Sequence, residues 1–168
     1  MKKISCIIPT YNEGPRIGNV LKIVEYHPMI DEIIVVDDGS IDNTKEMVSA
    51  FANVHLVEHT KNQGKSKTIC TGVRESKNEL IFMLDADLIG MRSEDVTALL
   101  EPVINNVADV SISLRRNAPG VFRMIDLDYI SGERVLPKSI LADNLEKITS
   151  VPKFGLESFI NKVILKNK

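Results

Sequence analysis

Tryptophan is absent from the 168 residues, aromatics make up only 5%, and there are two cysteines and three histidines. Cys6 and Cys70 form no second pair, have no metal-type spacing and fall in apolar or helical surroundings, so buried free thiols are expected rather than a disulfide framework. His27, His55 and His59 are not grouped by any ligand spacing and read as structural or surface residues. There is no basic excess: the formal net charge of -2 argues against a nucleic-acid binder that relies on phosphate neutralisation. Nor does any stretch approach the ~20 apolar residues of a membrane span. The apolar run after Lys2 and Lys3 is too brief for a signal peptide and has no small-residue cleavage site. A cytoplasmic location is therefore expected for this segment. Internal repeats and low-complexity stretches are also missing.

What is present is alternation. With 43% hydrophobic and 26% charged residues, the chain has the composition and size of one soluble globular domain. Apolar, β-branched runs at 4–8, 32–36, 54–57, 79–84 and 108–114 read as strands. Between them lie helical stripes: Ile17, Val20, Leu21 and Val24; Met47, Val48 and Phe51; Ile69, Cys70 and Val73; and Val96, Leu99, Leu100, Val103 and Ile104. Asp42 or Asn43 is expected to cap the second helix and Ser93 the fourth. Strand and helix repeated in this way predict an α/β fold with a mostly parallel central sheet and helices on both faces. After Leu114 the period weakens. A helix is expected near 138–148 and another from about Gly155, with Leu156, Phe159, Ile160, Val163 and Ile164 on one face. Residues 1–114 read as a nucleotide-binding half and 115–168 as the part that completes the site, without a linker.

Ligands of such sheets bind outside the carboxyl ends of the strands. The unusual polar residues stand at those ends. Asp85-Ala86-Asp87 follows the apolar strand Leu80 to Leu84, and two carboxylates so placed can aim at one point. Hard oxygen ligands suit Mg²⁺ or Mn²⁺, which can bridge to a diphosphate and neutralise charge on it as it departs. The competing account is a polar turn with two solvated aspartates. Asp37-Asp38-Gly39-Ser40 closes the second strand; adjacent carboxylates repel and need partners, such as a base N–H or a ribose hydroxyl. Turn and capping chemistry is the alternative there. Pro9-Thr10-Tyr11-Asn12-Glu13 offers an aromatic face beside a carboxylate. Asn62-Gln63-Gly64-Lys65 places a glycine and a lysine at a helix N-terminus, which suits a phosphate, although it is not a P-loop. Lys162, Lys166 and Lys168 beside an apolar face suit contact with an anionic membrane, and a solvated amphipathic core helix explains the same pattern.

These segments, Ser5 to Glu13, Val35 to Ser40 with Asp42 and Thr44, Asn62 to Lys65 with Gly72, and Leu84 to Asp87, fall in the order seen in family 2 glycosyltransferases, and the chain resembles them strongly over about residues 3–90. The likeness is greatest to the branch of dolichol-phosphate-mannose and polyprenyl-phosphate sugar synthases. It implies the GT-A fold, a nucleotide-diphosphate sugar donor and a Mg²⁺ or Mn²⁺ requirement. By motif match it assigns Pro9, Tyr11, Glu13 and Asp38 to the nucleoside, with Asp37 beside it, and Asp85 and Asp87 to the metal. Ser131-Gly132-Glu133-Arg134 resembles a donor-side loop, which makes Arg134 a substrate-binding candidate beside Lys65. Phe154-Gly155-Leu156-Glu157 resembles the segment that brings an acid to the acceptor, making Glu157 the candidate general base or acceptor-orienting group. Asp87 is the other candidate catalytic residue. The same two segments also resemble a retaining branch that acts on phosphoglycerate-type acceptors.

Leu88 to Arg92 departs from the glutamine and proline that the polyprenyl branch often places after its acidic pair. The chain also stops soon after Glu157, so the acceptor site is expected to be minimal, or completed by a second subunit or a membrane. Arg115, Arg116 and Arg123 are candidates for an acceptor phosphate. Three rival readings remain: a phosphatase of the haloacid-dehalogenase type, a receiver domain, and a catalytically degenerate nucleotide-sugar-binding module. The phosphatase would carry its D-x-D near the first strand, and the receiver would carry its acidic pair after the first strand. Neither placement holds here. The degenerate module is the stronger alternative.

Overall fold

The computed structural model describes residues 2–113, 131–151 and 155–166. β1 (Ile4–Thr10), β2 (Glu32–Asp37), β3 (Val54–Glu58) and β4 (Leu80–Met83) alternate with α1 (Gly14–Val24), α2 (Thr44–Ser49) and α3 (Lys65–Glu75). Then follow α4 (Ser93–Ile104), β5 (Ser111–Ile112), β6 (Arg134–Pro137), α5 (Lys138–Ala142), α6 (Leu145–Thr149) and α7 (Leu156–Lys166). The strand order is β3-β2-β1-β4-β6-β5. The first four strands are parallel, and β6 runs antiparallel between β4 and β5. This is the mostly parallel, helix-flanked α/β sheet the alternation implies.

β1 shows why the strands read as unbroken apolar runs. Ile4, Cys6 and Ile8 enter a core with Ile17, Val20 and Leu21 of α1 and Val96 and Leu100 of α4. Ile7 points to the other face, with Ile69 and Val73 of α3 and Leu156 and Ile160 of α7. A strand covered on both faces needs apolar side chains at every position instead of alternate ones. Both cysteines are free and buried, as their surroundings suggested, and burial pushes both thiols up from their ordinary values.

The second half differs from the expectation in three places. The strand expected at 108–114 shrinks to Ser111–Ile112, and Leu114 lies outside the described residues. Arg134–Pro137, for which no strand was expected, is a strand that pairs Met83 with Arg134 and Leu80 with Pro137. The single helix expected over 138–148 breaks into α5 and α6 at Asp143-Asn144. There the Asn144 side-chain amide donates to the Ile140 carbonyl at 3.0 Å, the local competition that makes asparagine a helix breaker. The caps differ too. Asn43 occupies the cap position of α2 without a side-chain bond. Arg92, not Ser93, caps α4, and Asp95 accepts its backbone N–H at 2.9 Å.

Tight packing of α3 on β1 requires Gly72, where a Cβ would come within 2.4 Å of Ile7 Cγ2. Because Ile7 is fully buried, it cannot swing into solvent. Gly72→Ala should therefore destabilise the domain by about 1–3 kcal/mol through overpacking. Urea unfolding should show a lower midpoint at unchanged slope, and an unshifted midpoint would show that the contact is slack.

Candidate active site

Chain order places the site. β1, β2 and β3 step one way across the sheet, and the chain then returns to lay β4 on the far side of β1. That reversal opens a crevice at the carboxyl ends of β1 and β4, the usual ligand position in sheets of this kind. A cavity of about 740 Å³ lies there. Pro9, Tyr11 and Glu13 line it from the end of β1, Asp38 from the end of β2, and Lys65 from the start of α3. Asp85 and Asp87 line it from beyond β4, and Glu157 from the first turn of α7. Residues up to 148 positions apart in the chain thus surround one space, since 157 minus 9 is 148.

Two of the residues singled out in the sequence lie elsewhere. Asp37 does not line the cavity; its carboxylate turns into its own loop and accepts from the backbone N–H of Ser40 at 3.2 Å and from the Ser40 hydroxyl. Arg134 is fully buried. Its guanidinium donates to Asn161 Oδ1 of α7 at 3.0 Å and to the Ser131 carbonyl. It therefore stands behind the cavity wall and braces the 131–134 turn. That turn matters because Gly132 lies against Asp85: a Cβ there would reach 2.4 Å from Asp85 Oδ2. Arg115, Arg116, Arg123, Phe154 and Lys168 lie outside the described residues.

The loops are tied to one another by side chains that accept backbone N–H groups. Asn12 N–H donates to Ser40 Oγ at 2.8 Å, Glu13 N–H to Thr44 Oγ1 at 2.9 Å, and Gly14 N–H to Asp42 Oδ2 at 3.1 Å. Asp42 and Thr44 thus join two loops as well as shaping their own turn. Gly39 has φ +77°, and a Cβ there would meet the Lys61 backbone at 2.8 Å. Only glycine combines that left-handed conformation with that approach.

Asp38 is buried and well supplied with donors. Its Oδ1 accepts the Gln63 N–H at 2.9 Å and faces His59 Nδ1 at 2.8 Å, and its Oδ2 accepts the Gly64 N–H at 2.7 Å. With the His59 proton on Nδ1, its Nε2 accepts from the Thr71 hydroxyl at 2.9 Å. His59 is the site-supporting residue that sequence reasoning missed. Its partner is 21 positions away, just past the end of β2, and no local spacing announces it.

A shared charge contact joins α3, the segment after β4 and α7. Lys65 Nζ is 2.7 Å from Asp85 Oδ1 and 3.1 Å from Glu157 Oε1. Burial by itself would lower the Lys65 ammonium, but Asp85 and then Glu157 outweigh it and hold the group above the usual lysine value. Asp87 is exposed at the cavity mouth. Thr10, also in the lining, has a buried hydroxyl with no hydrogen-bond partner among the described residues.

Comparisons with known proteins bear on the fold and the family. Over 123 residues the chain is 34% identical to dolichol-phosphate mannosyltransferase of Pyrococcus furiosus, covering 67% of this chain and 33% of that one. It is 34% identical over 126 residues to an undecaprenyl-phosphate 4-deoxy-4-formamido-L-arabinose transferase of Yersinia pestis, covering 70% of this chain and 38% of that one. The chain therefore spans about a third of the length of these two relatives. Its fold matches glucosyl-3-phosphoglycerate synthase of Mycobacterium tuberculosis, crystallised with Mn²⁺, uridine diphosphate and glucosyl-3-phosphoglycerate. That match has a TM-score of 0.78 and 22% identity, over 95% of this chain and 64% of the other. The model of the family described as "Glycosyl transferase family 2" matches residues 5–164, sheet and cavity included, and the chain belongs to that family, with the GT-A fold.

Proposed function

We propose that this domain transfers a sugar from a nucleotide-diphosphate donor, UDP- or GDP-linked, to a phosphate-bearing acceptor of the polyprenyl-phosphate class, with Mg²⁺ or Mn²⁺ bound at Asp85 and Asp87. The observation that carries this reading is the meeting of Asp85, Asp87, Lys65 and Glu157 in one cavity at the switch point of the sheet. The acceptor class follows from the names of the two curated relatives.

The residues present fit a divalent cation that arrives with its diphosphate. Asp85 already faces a cation, the Lys65 ammonium. Among the described residues no group of three or more His, Cys, Asp or Glu is gathered to hold a metal alone. Two carboxylates completed by phosphate oxygens and water are the ligand set Mg²⁺ accepts. Once bound, the ion supplies charge neutralisation for the departing diphosphate.

The chain's own residues do the rest. Tyr11, 43% exposed, offers its ring to the base. Glu13 and Asp38 offer acceptors to the nucleoside; Asp38 uses three of about four lone-pair positions on its partners, which leaves one for a ligand N–H or hydroxyl. The Thr10 hydroxyl gains a partner when a ligand enters. Lys65, at the N-terminus of α3, meets the diphosphate. Arg134 and Asn161 keep Gly132 against Asp85 from behind. Glu157 orients the acceptor, or takes its proton where the acceptor is a hydroxyl. No helix among the described residues is long and apolar enough to cross a membrane. A groove lined by Lys147, Lys162, Lys166, Phe159 and Val163 supports peripheral contact with an anionic lipid surface near the acceptor side.

The test is calorimetry with UDP, GDP and their sugars in Mn²⁺, followed by donor turnover. Asp85→Asn should weaken metal-dependent nucleotide binding by at least about tenfold while the thermal midpoint stays near wild type, and Asp87→Ala should abolish donor turnover. Unchanged nucleotide affinity in the first variant would remove Asp85 from the metal site. Tight nucleotide binding by the wild type with no turnover would favour the degenerate binding module.

For Glu157→Gln the expectation is different: donor affinity persists and the transfer rate falls, on the order of the 10²–10⁴-fold that a positioned acid–base group contributes where the acceptor is a hydroxyl. Wild-type transfer rates with every acceptor tried would take Glu157 out of the reaction.

A further inference from the structure

Asp85 is enclosed on two sides. Its Oδ1 lies 2.7 Å from Lys65 Nζ, and its Oδ2 faces Gly132 at a spacing that leaves no room for a Cβ. The same ammonium reaches Glu157 Oε1, 92 positions along the chain from Lys65. A bare dication approaching Asp85 therefore meets an ammonium in direct contact with the carboxylate it needs.

We propose that Lys65 is a resident counter-cation that keeps a lone divalent ion off Asp85 and releases that carboxylate only when a diphosphate arrives to take the ammonium. The proposal rests on the transferase reading above for the identity of the diphosphate. Two observations support it. Lys65 is the first residue of α3, so a diphosphate at that helix end meets the ammonium directly. The side chain is 39% exposed, and its flexible stem lets it swing from Asp85 to a ligand without backbone movement.

Charge then sets two effects of opposite sign. Among the described residues, Lys65 is paired with Asp85 and Glu157, and Asp87 adds a third carboxylate to the same lining. Without the lysine, a bare dication gains an unopposed carboxylate, while a diphosphate loses its partner and faces three acids. Exchange of partners also frees Glu157, so the acceptor-side carboxylate becomes available only after the donor is seated.

The experiment uses the full chain and Mn²⁺ alone, with free Mn²⁺ read by electron paramagnetic resonance. Lys65→Met should bind Mn²⁺ more tightly than wild type, on the order of tenfold. The same variant should bind UDP or GDP in saturating Mn²⁺ more weakly, by a similar factor. Lys65→Arg, which keeps the charge, should stay near wild type in the metal-only measurement. In an Asp85→Asn background the gain should vanish, because the carboxylate at issue is gone. Unchanged or weaker Mn²⁺ binding by Lys65→Met overturns the proposal, as does a gain that persists with Asp85→Asn. A misfolded variant would lose both affinities and would show a lowered thermal midpoint; Lys65→Gln then repeats the comparison. The transferase reading fails separately, through absence of nucleotide binding by the wild type, and the metal-only comparison does not depend on that result.

Discussion

Burying a carboxylate requires hydrogen-bond donors around it, and Asp38, only 3% exposed, obtains them from a segment more than twenty residues away. Its demand for the N–H groups of Gln63 and Gly64 and for the His59 ring draws the β3–α3 loop onto the end of β2. With Gly64 held, the next residue opens α3, and that residue is Lys65. The position of the ammonium between Asp85 and Glu157 thus follows from the need to satisfy a different acid across the rim. The adjacent Asp37 could not share the task. It meets its own need within the turn through Ser40, which separates two like charges that would otherwise repel.

The first half of this arrangement was legible from residue order, and the reason is local. Strands buried on both faces leave unbroken apolar runs, so β1, β2 and β4 announce themselves and the polar residues after them mark one rim. Pro9, Tyr11, Glu13, Asp38, Lys65, Asp85 and Asp87 could be assigned to one rim, and they line one cavity, because each lies near the carboxyl end of a strand or at the start of a helix. What escaped is what depends on tertiary contact. β6 is four residues long, ends in proline and exists because Met83 and Leu80 offer it a partner edge; nothing within Arg134 to Pro137 favours a strand alone. His59 gains its role from Asp38 and Thr71, neither of them near it in the chain. Arg134 looked like a ligand-facing cation from its sequence neighbours, yet antiparallel pairing with β4 turns it into the interior. The direction a side chain faces in a short strand is set by register, and register is invisible until the partner strand is known.

The chemistry of the cavity follows from its charge imbalance. Among the described residues its lining holds five acids, Glu13, Asp38, Asp85, Asp87 and Glu157, against two lysines, Lys65 and Lys67. A nucleoside diphosphate is itself an anion and would be repelled by such a surface unless cations accompany it. Some acids are already compensated: Glu13 by Arg16 at 2.5 Å and Asp38 by its three donors. Among the described residues the remaining excess lies at Asp85, Asp87 and Glu157, where one ammonium is shared by Asp85 and Glu157. On the transferase reading proposed above, this imbalance makes the cavity selective: an anionic diphosphate enters it more favourably together with a cation.

That selectivity requires the donor and C-terminal sides to keep a fixed spacing, and the core provides it. Glu157 follows Leu156, which with Ile160 is buried in the cluster that holds Ile69, Cys70 and Val73 of α3. The helix that carries Lys65 and the helix that carries Glu157 are therefore packed into one apolar body. A second tie runs from Arg134 on β6 to Asn161 on α7, which fixes the same helix to the strand beside β4. Lys65, Asp85 and Glu157 meet through side chains, but the distance they span is set by buried aliphatic contacts that carry no charge. Electrostatic exchange within the cavity can then proceed without moving the scaffold, because core packing resists displacement far more strongly than an exposed lysine stem does.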